Sequence, residues 1–309
     1  MRCTLKNLLV LFVFTLLSGN AMAQQQIQYT QYMYMPSLIN PAYVGLDQVM
    51  KISLLHRSQW VGVAGAPVTQ TLVISTPLGE KMGLGFNLIQ DKTGPAKETN
   101  ASLDFAYGLQ LNDRELKLSF GMKAGLQLLN VDYSKLTTQD PNDPSINENI
   151  NSRITPNIGV GLYLYNSDWY VGISTPNLLS TKHYNSVAVS TVSSTTHLYL
   201  TGGMTFDLKE NIKFKPAFLL KSVTGAPISL DVSLNVLFNN KFTTGLSYNY
   251  KNSVSGLVDF KVSNSLSIGY GYTADTSDIS YFSGGSHEVL LRYYFNKLFT
   301  NVKQPRWLF

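Results

Sequence analysis

The sequence predicts an all-β chain: a transmembrane, antiparallel, up-and-down β-barrel of about fourteen strands. Three observations lead there. Apolar and polar residues alternate with period 2 along most of the chain. The connections between the alternating segments are short on one side and mostly long on the other, as in outer-membrane barrels. Charged residues make up only 14% of the chain, against about 25% in an ordinary soluble protein. No stretch beyond the N-terminus nears the roughly 20 consecutive apolar residues of a membrane helix.

The first 23 residues read as an export signal. Arg2 and Lys6 supply the charged region, Leu8 to Leu17 the apolar run, and Ala21-Met22-Ala23 the cleavage site, so the mature chain should begin at Gln24. The apolar run of about ten residues is too short to span a bilayer as a helix. Cys3, the only cysteine, lies in the part expected to be removed, which leaves no disulfide or thiolate chemistry. The net charge of +5 falls to +3 with the loss of Arg2 and Lys6. It forms no block, so it points to neither nucleic acid nor an acidic lipid surface.

Residues 24–48 precede the first strand. They contain Pro36, Pro41 and Gly45 with Tyr29, Tyr32, Tyr34 and Tyr43, a composition for a fixed irregular path. A barrel of about fourteen strands is too wide for its own wall side chains to fill. This segment is therefore expected to line or plug the periplasmic mouth. The tail 297–309, with Trp307 and Phe309, is the second candidate.

The barrel is expected over residues 49–296. Its strands are read at 49–58, 68–77, 82–91, 98–111, 114–132, 155–166, 168–176, 195–208, 212–223, 228–239, 241–250, 253–263, 266–274 and 287–296. In 228–239, Ile228, Leu230, Val232, Leu234, Val236 and Phe238 take one face, and Ser229, Asp231, Ser233, Asn235 and Asn239 the other. In 98–111, Leu103, Phe105, Tyr107 and Leu109 oppose Ser102, Asp104, Gly108 and Gln110. In 287–296, Val289, Leu291, Tyr293 and Phe295 oppose Glu288, Arg292 and Asn296. In 266–274 the polar face shrinks to Ser267, Gly269, Gly271 and Thr273.

Short turns such as Asn166-Ser167-Asp168 and Asn239-Asn240-Lys241 read as periplasmic. The longer connections 59–67, 133–154, 177–194 and 275–286 read as extracellular. An even strand count puts both ends of the barrel on the periplasmic side. Aromatic residues cluster at strand ends, which suggests two interfacial girdles: Tyr163, Tyr165, Trp169, Tyr170, Phe206, Phe238, Phe242, Tyr293 and Phe295 below, and Tyr248, Tyr250, Tyr270 and Tyr272 above. Pro216 interrupts 212–223 where a closed barrel has no free edge, so a bulge or a lost ladder bond is expected. Asp207 should face Lys213, with Asp104 diagonal to Lys123 and Lys221 diagonal to Asp231, as charge pairs within the lumen.

Catalytic and metal chemistry find little support. The four histidines are His56, His183, His197 and His287. Serines such as Ser58 and Ser286 lie near some of them, but no G-x-S-x-G stretch occurs. A hydrolase triad assembled in space is the weakest of the readings. Asp140, Asp143 and Glu148 lack the spacing of a calcium loop. No cofactor is expected.

Two stretches carry a family resemblance: QYTQYMYMPSLINPAYVG (28–45) and HRSQWVGVAGAPVTQTLVISTPL (56–78). It continues through GLGFNLIQDKTGP (83–95) and ends in GGSHEVLLRYYF (284–295). The chain resembles the PorP/SprF family of outer-membrane proteins of the type IX secretion system in gliding and related Bacteroidota. Gln31, Asn40, Pro41, Tyr43 and Gly45 carry the N-terminal motif, and Arg57, Gln59 and Trp60 the R-x-Q-W element. Met35 and Val44 depart from the usual pattern.

The resemblance implies a fourteen-stranded barrel related in shape to the FadL-like fatty-acid transporters, and no enzyme activity. It implies partners: the C-terminal domain of a large secreted surface protein, and components of the type IX translocon or of the periplasmic gliding and secretion machinery. Outer-membrane lipid would surround the barrel. The Gly/Pro-stiffened loops 59–67 and 91–98 would present a preformed surface. Arg57, Gln59, Trp60, Asp91 and Gly94 are the candidate contacts, with Trp60 either the anchor or packed back onto the rim. The alternative function is an outer-membrane transporter or porin for a hydrophobic solute.

Overall fold

The computed structural model describes residues 30–111, 115–135, 149–179, 182–183, 192–193, 196–223 and 226–295. The expected export signal, the tail 297–309 and the loop bearing Asp140, Asp143 and Glu148 lie outside these residues.

Fourteen antiparallel strands close into one sheet. They are β1 (Met50–Ser58), β2 (Val68–Leu78), β3 (Met82–Thr93), β4 (Ala96–Gln110), β5 (Lys117–Val131), β6 (Ile150–Tyr165) and β7 (Trp169–Thr175). The interrupted β8 (His197–Met204 and Phe206–Lys209) follows. The rest are β9 (Ile212–Val223), β10 (Ser229–Phe238), β11 (Phe242–Asn249), β12 (Ser253–Lys261), β13 (Leu266–Asp275) and β14 (Ser286–Phe295). Each strand pairs with its sequence neighbours. The seam is β1 against β14, from Met50 opposite Phe295 to Ser58 opposite His287.

The period-2 pattern sets which way each side chain points. In β4, Leu103, Phe105, Tyr107 and Leu109 face outward, while Asp104 and Ala106 are buried inside. In β10, Val232 and Leu234 face outward and Ser233 and Asn235 inward. Large apolar residues stay exposed along the outside, with Leu103 at 58%, Met122 at 62% and Leu246 at 65%. A continuous belt of this kind needs an apolar surrounding.

The turns follow the same logic. Asn239 and Asn240 both adopt positive φ, 51° and 53°, and the Lys241 N–H donates to the Phe238 carbonyl at 2.9 Å. Two left-handed residues give the turn whose twist matches a hairpin, and asparagine tolerates them best after glycine.

Several expectations are corrected in detail. The loop expected at 91–98 is a tight turn at Gly94-Pro95, because β3 and β4 pair up to Thr93 and Ala96. Strand β6 starts at Ile150, five residues earlier than its alternation suggested. Its ladder with β5 continues outward past a shift between Leu129 and Val131, where the Ser152 N–H donates to Asn130 Oδ1 at 2.8 Å. Pro216 sits in a regular ladder with β10, opposite Leu234. The loss falls on its other side: β8 breaks between Met204 and Phe206, across from Lys215 and Pro216. Proline has no N–H to give to a ladder, and the break lies on the β8 side of Pro216.

The aromatic girdle is thinner than expected. Phe206, Phe242, Tyr293 and Phe295 do face outward, as do Tyr248, Tyr250, Tyr270 and Tyr272. Tyr163, Tyr165 and Tyr170 instead point into the lumen and are buried. Their strand parity puts Leu162 and Val171 outside in their place.

A charge placed in the outward belt should be expensive. Leu234→Arg is expected to lower the stability of the barrel in lipid vesicles by about 2–4 kcal/mol, read as a lower urea midpoint. An unchanged midpoint would mean that Leu234 does not face lipid.

Candidate functional site

The lumen contains the chain's own N-terminal segment. Residues 30–48 are buried apart from Pro36, which is half-buried. Three 3₁₀ turns shape the path: Tyr32–Tyr34, Pro36–Leu38 and Pro41–Tyr43. Pro36 and Pro41 each open one, where a fixed φ helps and a missing N–H costs nothing. Asn40 caps the third turn by accepting from the Ala42 N–H at 3.0 Å.

An apolar core forms between this plug and the wall. Tyr32, Met33, Tyr34, Met35, Leu38 and Ile39 pack with inward residues from around the ring, among them Leu55, Val73, Leu219 and Leu290. Burying each large apolar side chain contributes roughly 1.5–3 kcal/mol. A second cluster joins Ala42, Tyr43 and Leu46 to Tyr163, Tyr165 and Tyr170. Tyr43 meets Tyr163 edge-on with ring centres 5.7 Å apart, and Tyr163 stacks on Tyr170 at 5.3 Å. The inward tyrosines thus serve the plug.

Polar contacts fix the register of the plug against the wall. On the seam, Arg57 of β1 and Glu288 of β14 stand directly opposite and form a buried ion pair at 3.1 Å. The Gln31 and Thr30 N–H groups donate to Glu288 Oε1 and Oε2 at 2.9 and 3.2 Å. Arg57 also donates to Thr30 Oγ1 at 2.9 Å, and that hydroxyl lies 2.8 Å from Thr273 Oγ1. Deeper in, Arg292 donates to Asp259 at 2.6 Å, and its guanidinium lies 4.2 Å from the centre of the Tyr34 ring. Asn40 donates to the carbonyls of Leu162 and Ile173, on β6 and β7. Near the short-turn end, Tyr43 donates to Asp47 at 2.7 Å, and Asp47 pairs with Lys51. Wall pairs complete the set: Asp104 faces Lys123 directly, not diagonally, at 3.4 Å, and Asp207 faces Lys213 as expected.

The wall makes room at glycines. A Cβ on Gly83 would stand 2.0 Å from the Val44 carbonyl oxygen, and one on Gly121 2.0 Å from the Ala42 nitrogen. One on Gly161 would meet Asn40 Oδ1, and one on Gly269 would meet Gln31 Oε1. Gly45 has φ +80° and passes Gly83 backbone to backbone. Alternating glycines such as Gly269-x-Gly271 were the available sequence signal, since an inward face without side chains needs something else to fill it.

The candidate contact residues fall in different places. Arg57 is buried in the lumen and engaged by the plug, so it presents nothing to the outside. Gln59 and Trp60 are half-buried on the first long loop. The Trp60 N–H donates to Ser286 Oγ at 3.2 Å, and its indole nitrogen is shielded from solvent, so the ring leans back onto the rim. Asp91 accepts from Thr69 and Thr93. Gly94, at φ +55°, donates to the Gly65 carbonyl at 2.9 Å. Val61 exchanges two backbone hydrogen bonds with Gly284 and Gly285, at 2.7 and 2.9 Å. Three outer connections are thereby stapled together. The most exposed aromatics on that rim, among the described residues, are Tyr281 at 85% and Phe282 at 76%, which the sequence reading passed over.

Among the described residues, the histidine contacts are not those of a triad at His56 or His287. His56 Nε2 lies 3.2 Å from Ser58 Oγ on the outward face, and no carboxylate is hydrogen-bonded to His56 among the described residues. His287 pairs with Tyr270 at 2.7 Å. No metal-ligating cluster occurs among the described residues.

A closed antiparallel barrel with an apolar outer belt and an internal plug defines an outer-membrane β-barrel protein. The family model for the type IX secretion system membrane protein PorP/SprF matches residues 21–293, and the chain belongs to that family. Among solved structures it is similar to the CymD monoaromatic hydrocarbon channel, with a TM-score of 0.50 and 14% identity over 90% of this chain and 97% of that one. The Acinetobacter baumannii outer membrane protein Omp33 matches with a TM-score of 0.42 and 7% identity, over 81% of this chain and 100% of its own. These likenesses concern the fold. No curated protein sequence matches the chain.

The seam pair gives a direct test. Arg57→Met or Glu288→Leu alone strands a buried charge and should cost about 3–5 kcal/mol, while the double variant should lose clearly less than the sum of the two, though not nothing, because Thr30 and Gln31 lose their acceptor. Equal, additive losses in denaturant midpoints would show that the two groups do not interact. Separately, Gly121→Val should lower the yield of folded barrel by driving a side chain into Ala42, whereas Gly256→Ala, with open space at its Cβ, should not.

Proposed function

We propose that the protein is a non-enzymatic accessory barrel of the type IX secretion and gliding machinery. It binds the C-terminal domain of a secreted surface protein at its outer rim and supports that protein's secretion or attachment to the cell. One observation supports this reading: the outer loops are hydrogen-bonded into a fixed platform on which Tyr281 and Phe282 are exposed among the described residues. A preformed surface loses little entropy on binding, and binding hot spots are enriched in tyrosine and tryptophan. Gln59, Trp60, Asp91 and Gly94 belong to the same platform, while Arg57 supports it from within by holding the start of the plug. Translocon or periplasmic components would meet the short-turn end.

The occupied lumen argues against the alternative, a carrier of hydrophobic solutes, because the plug is bonded to β14 through Gln31 and to β6 and β7 through Asn40. The experiment is affinity capture of the tagged barrel from native membranes. The wild-type chain should retain a large surface protein, and a Tyr281→Ser/Phe282→Ser variant should lose it at unchanged barrel levels. Capture of the barrel with lipid or solute alone, together with conductance in planar bilayers, would contradict the docking role and favour transport.

A further inference from the structure

The outward belt is largely apolar, but one arc of it is not. On β1 to β4 the lipid-facing residues turn polar toward the outer rim, the rim that carries the long loops. His56, Gln70, Gln90 and Thr99 stand directly opposite one another across successive ladders. One same-face position higher, about 7 Å along the strands, Lys92 of β3 faces Lys97 of β4. Both lysines are exposed. Toward the same rim on β11 to β13 the outward side chains include Tyr248, Val254 and Tyr272.

The β3–β4 hairpin sorts its charges by face. Asp91 and Glu98, the neighbouring ladder pair, have the inward parity of the buried Thr69 and Leu129 beside them. Asp91 accepts from Thr69 and Thr93, and Glu98 from Asn100. Among the described residues Lys92 and Lys97 form no ion pair. Like charges directly opposite are destabilising, so the lysine pair is better served when an outside anion bridges it. One same-face position below the polar row, Leu54, Leu72 and Leu88 stand opposite one another in turn, with Leu291 beyond Leu54. They form the apolar part of a groove of about 410 Å³ whose polar end is His56, Gln70 and Gln90.

We infer that this arc binds a phosphorylated glycolipid of the outer leaflet. An acyl chain lies in the groove, sugar hydroxyls meet His56, Gln70 and Gln90, and a phosphate sits between Lys92 and Lys97. Each part of the arc calls for a different part of that molecule. Amide side chains turned toward hydrocarbon are costly unless hydrogen-bonded, and hydroxyls both donate to and accept from them. Lysine binds phosphate as a point charge. The polar row from β1 to β4 crosses three inter-strand spacings, roughly 14 Å, which is wider than a single phosphoglycerol headgroup and suits linked sugars. The site uses only the lipid-facing wall, so it holds whether or not a protein docks on the loops.

Native mass spectrometry of the detergent-purified barrel tests this. The probes are bisphosphorylated lipid A, its dephosphorylated form, and phosphatidylglycerol. The wild-type chain should retain lipid A and bind the other two about tenfold more weakly or worse. Lys92→Gln/Lys97→Gln should weaken lipid A about tenfold. Gln70→Leu/Gln90→Leu, which leaves the charge intact, should weaken it as well. Lys209→Gln/Lys241→Gln, the same loss of charge at the short-turn end, should not. Equal losses in the two lysine variants would reduce the effect to net charge and overturn the inference. Equal binding of phosphatidylglycerol or of the dephosphorylated lipid would also overturn it, as would a wild-type chain that retains no lipid A. Heat-dependent mobility in detergent verifies that each variant is folded.

Discussion

A fourteen-stranded wall encloses more space than its inward side chains can fill. Everything inside this molecule follows from that geometric surplus. Small barrels close on their own side chains, and large ones leave a water channel. Here residues 30–48 make up the difference and turn the lumen into a protein interior. The outside of the sheet is left to lipid. The chain thus has two apolar surfaces with opposite duties: Leu103, Leu234 and Leu246 face the membrane, while Leu55, Val73 and Leu290 face the plug.

The plug and the seam are mechanically one device. The first and last strands meet at Arg57 and Glu288, and the same carboxylate receives the backbone of Thr30 and Gln31. Closing the barrel therefore creates the receptor for the plug. A seated plug in turn neutralises the buried groups that closure brings together. Residues expected from the sequence to carry the N-terminal motif, Gln31, Asn40, Tyr43 and Gly45, sit along this contact, as does Arg57, which meets Glu288 on the wall. Their roles are those of register and packing. Above them, the hydrogen bonds of Val61 with Gly284 and Gly285 tie the first outer loop to the last across the same seam.

The alternating faces, the strand number and the turn pattern could be read directly from the sequence, because each depends on local periodicity. The Asp207–Lys213 pair was legible too, since hairpin register follows from turn length. What escaped was long-range. Tyr163, Tyr165 and Tyr170 have the composition of a girdle, and only the position of Tyr43 explains why they point inward. Gly83, Gly121 and Gly161 read as weak strand positions until the plug is set against them. Arg57 lies one residue from the loop, and its parity, not its neighbourhood, turned it into the lumen. The Pro216 defect was foreseen, but its cost landed on β8, which sequence distance alone could not reveal.

The central claim is that residues 30–48 are a seated core and not a tether. Amide hydrogen exchange of the intact protein in lipid nanodiscs, followed by peptide mass spectrometry, measures it most directly. The account predicts that peptides covering 30–48 exchange as slowly as those of β1 and β14. Complete exchange of 30–48 at the earliest time points, with the strands still protected, would contradict it.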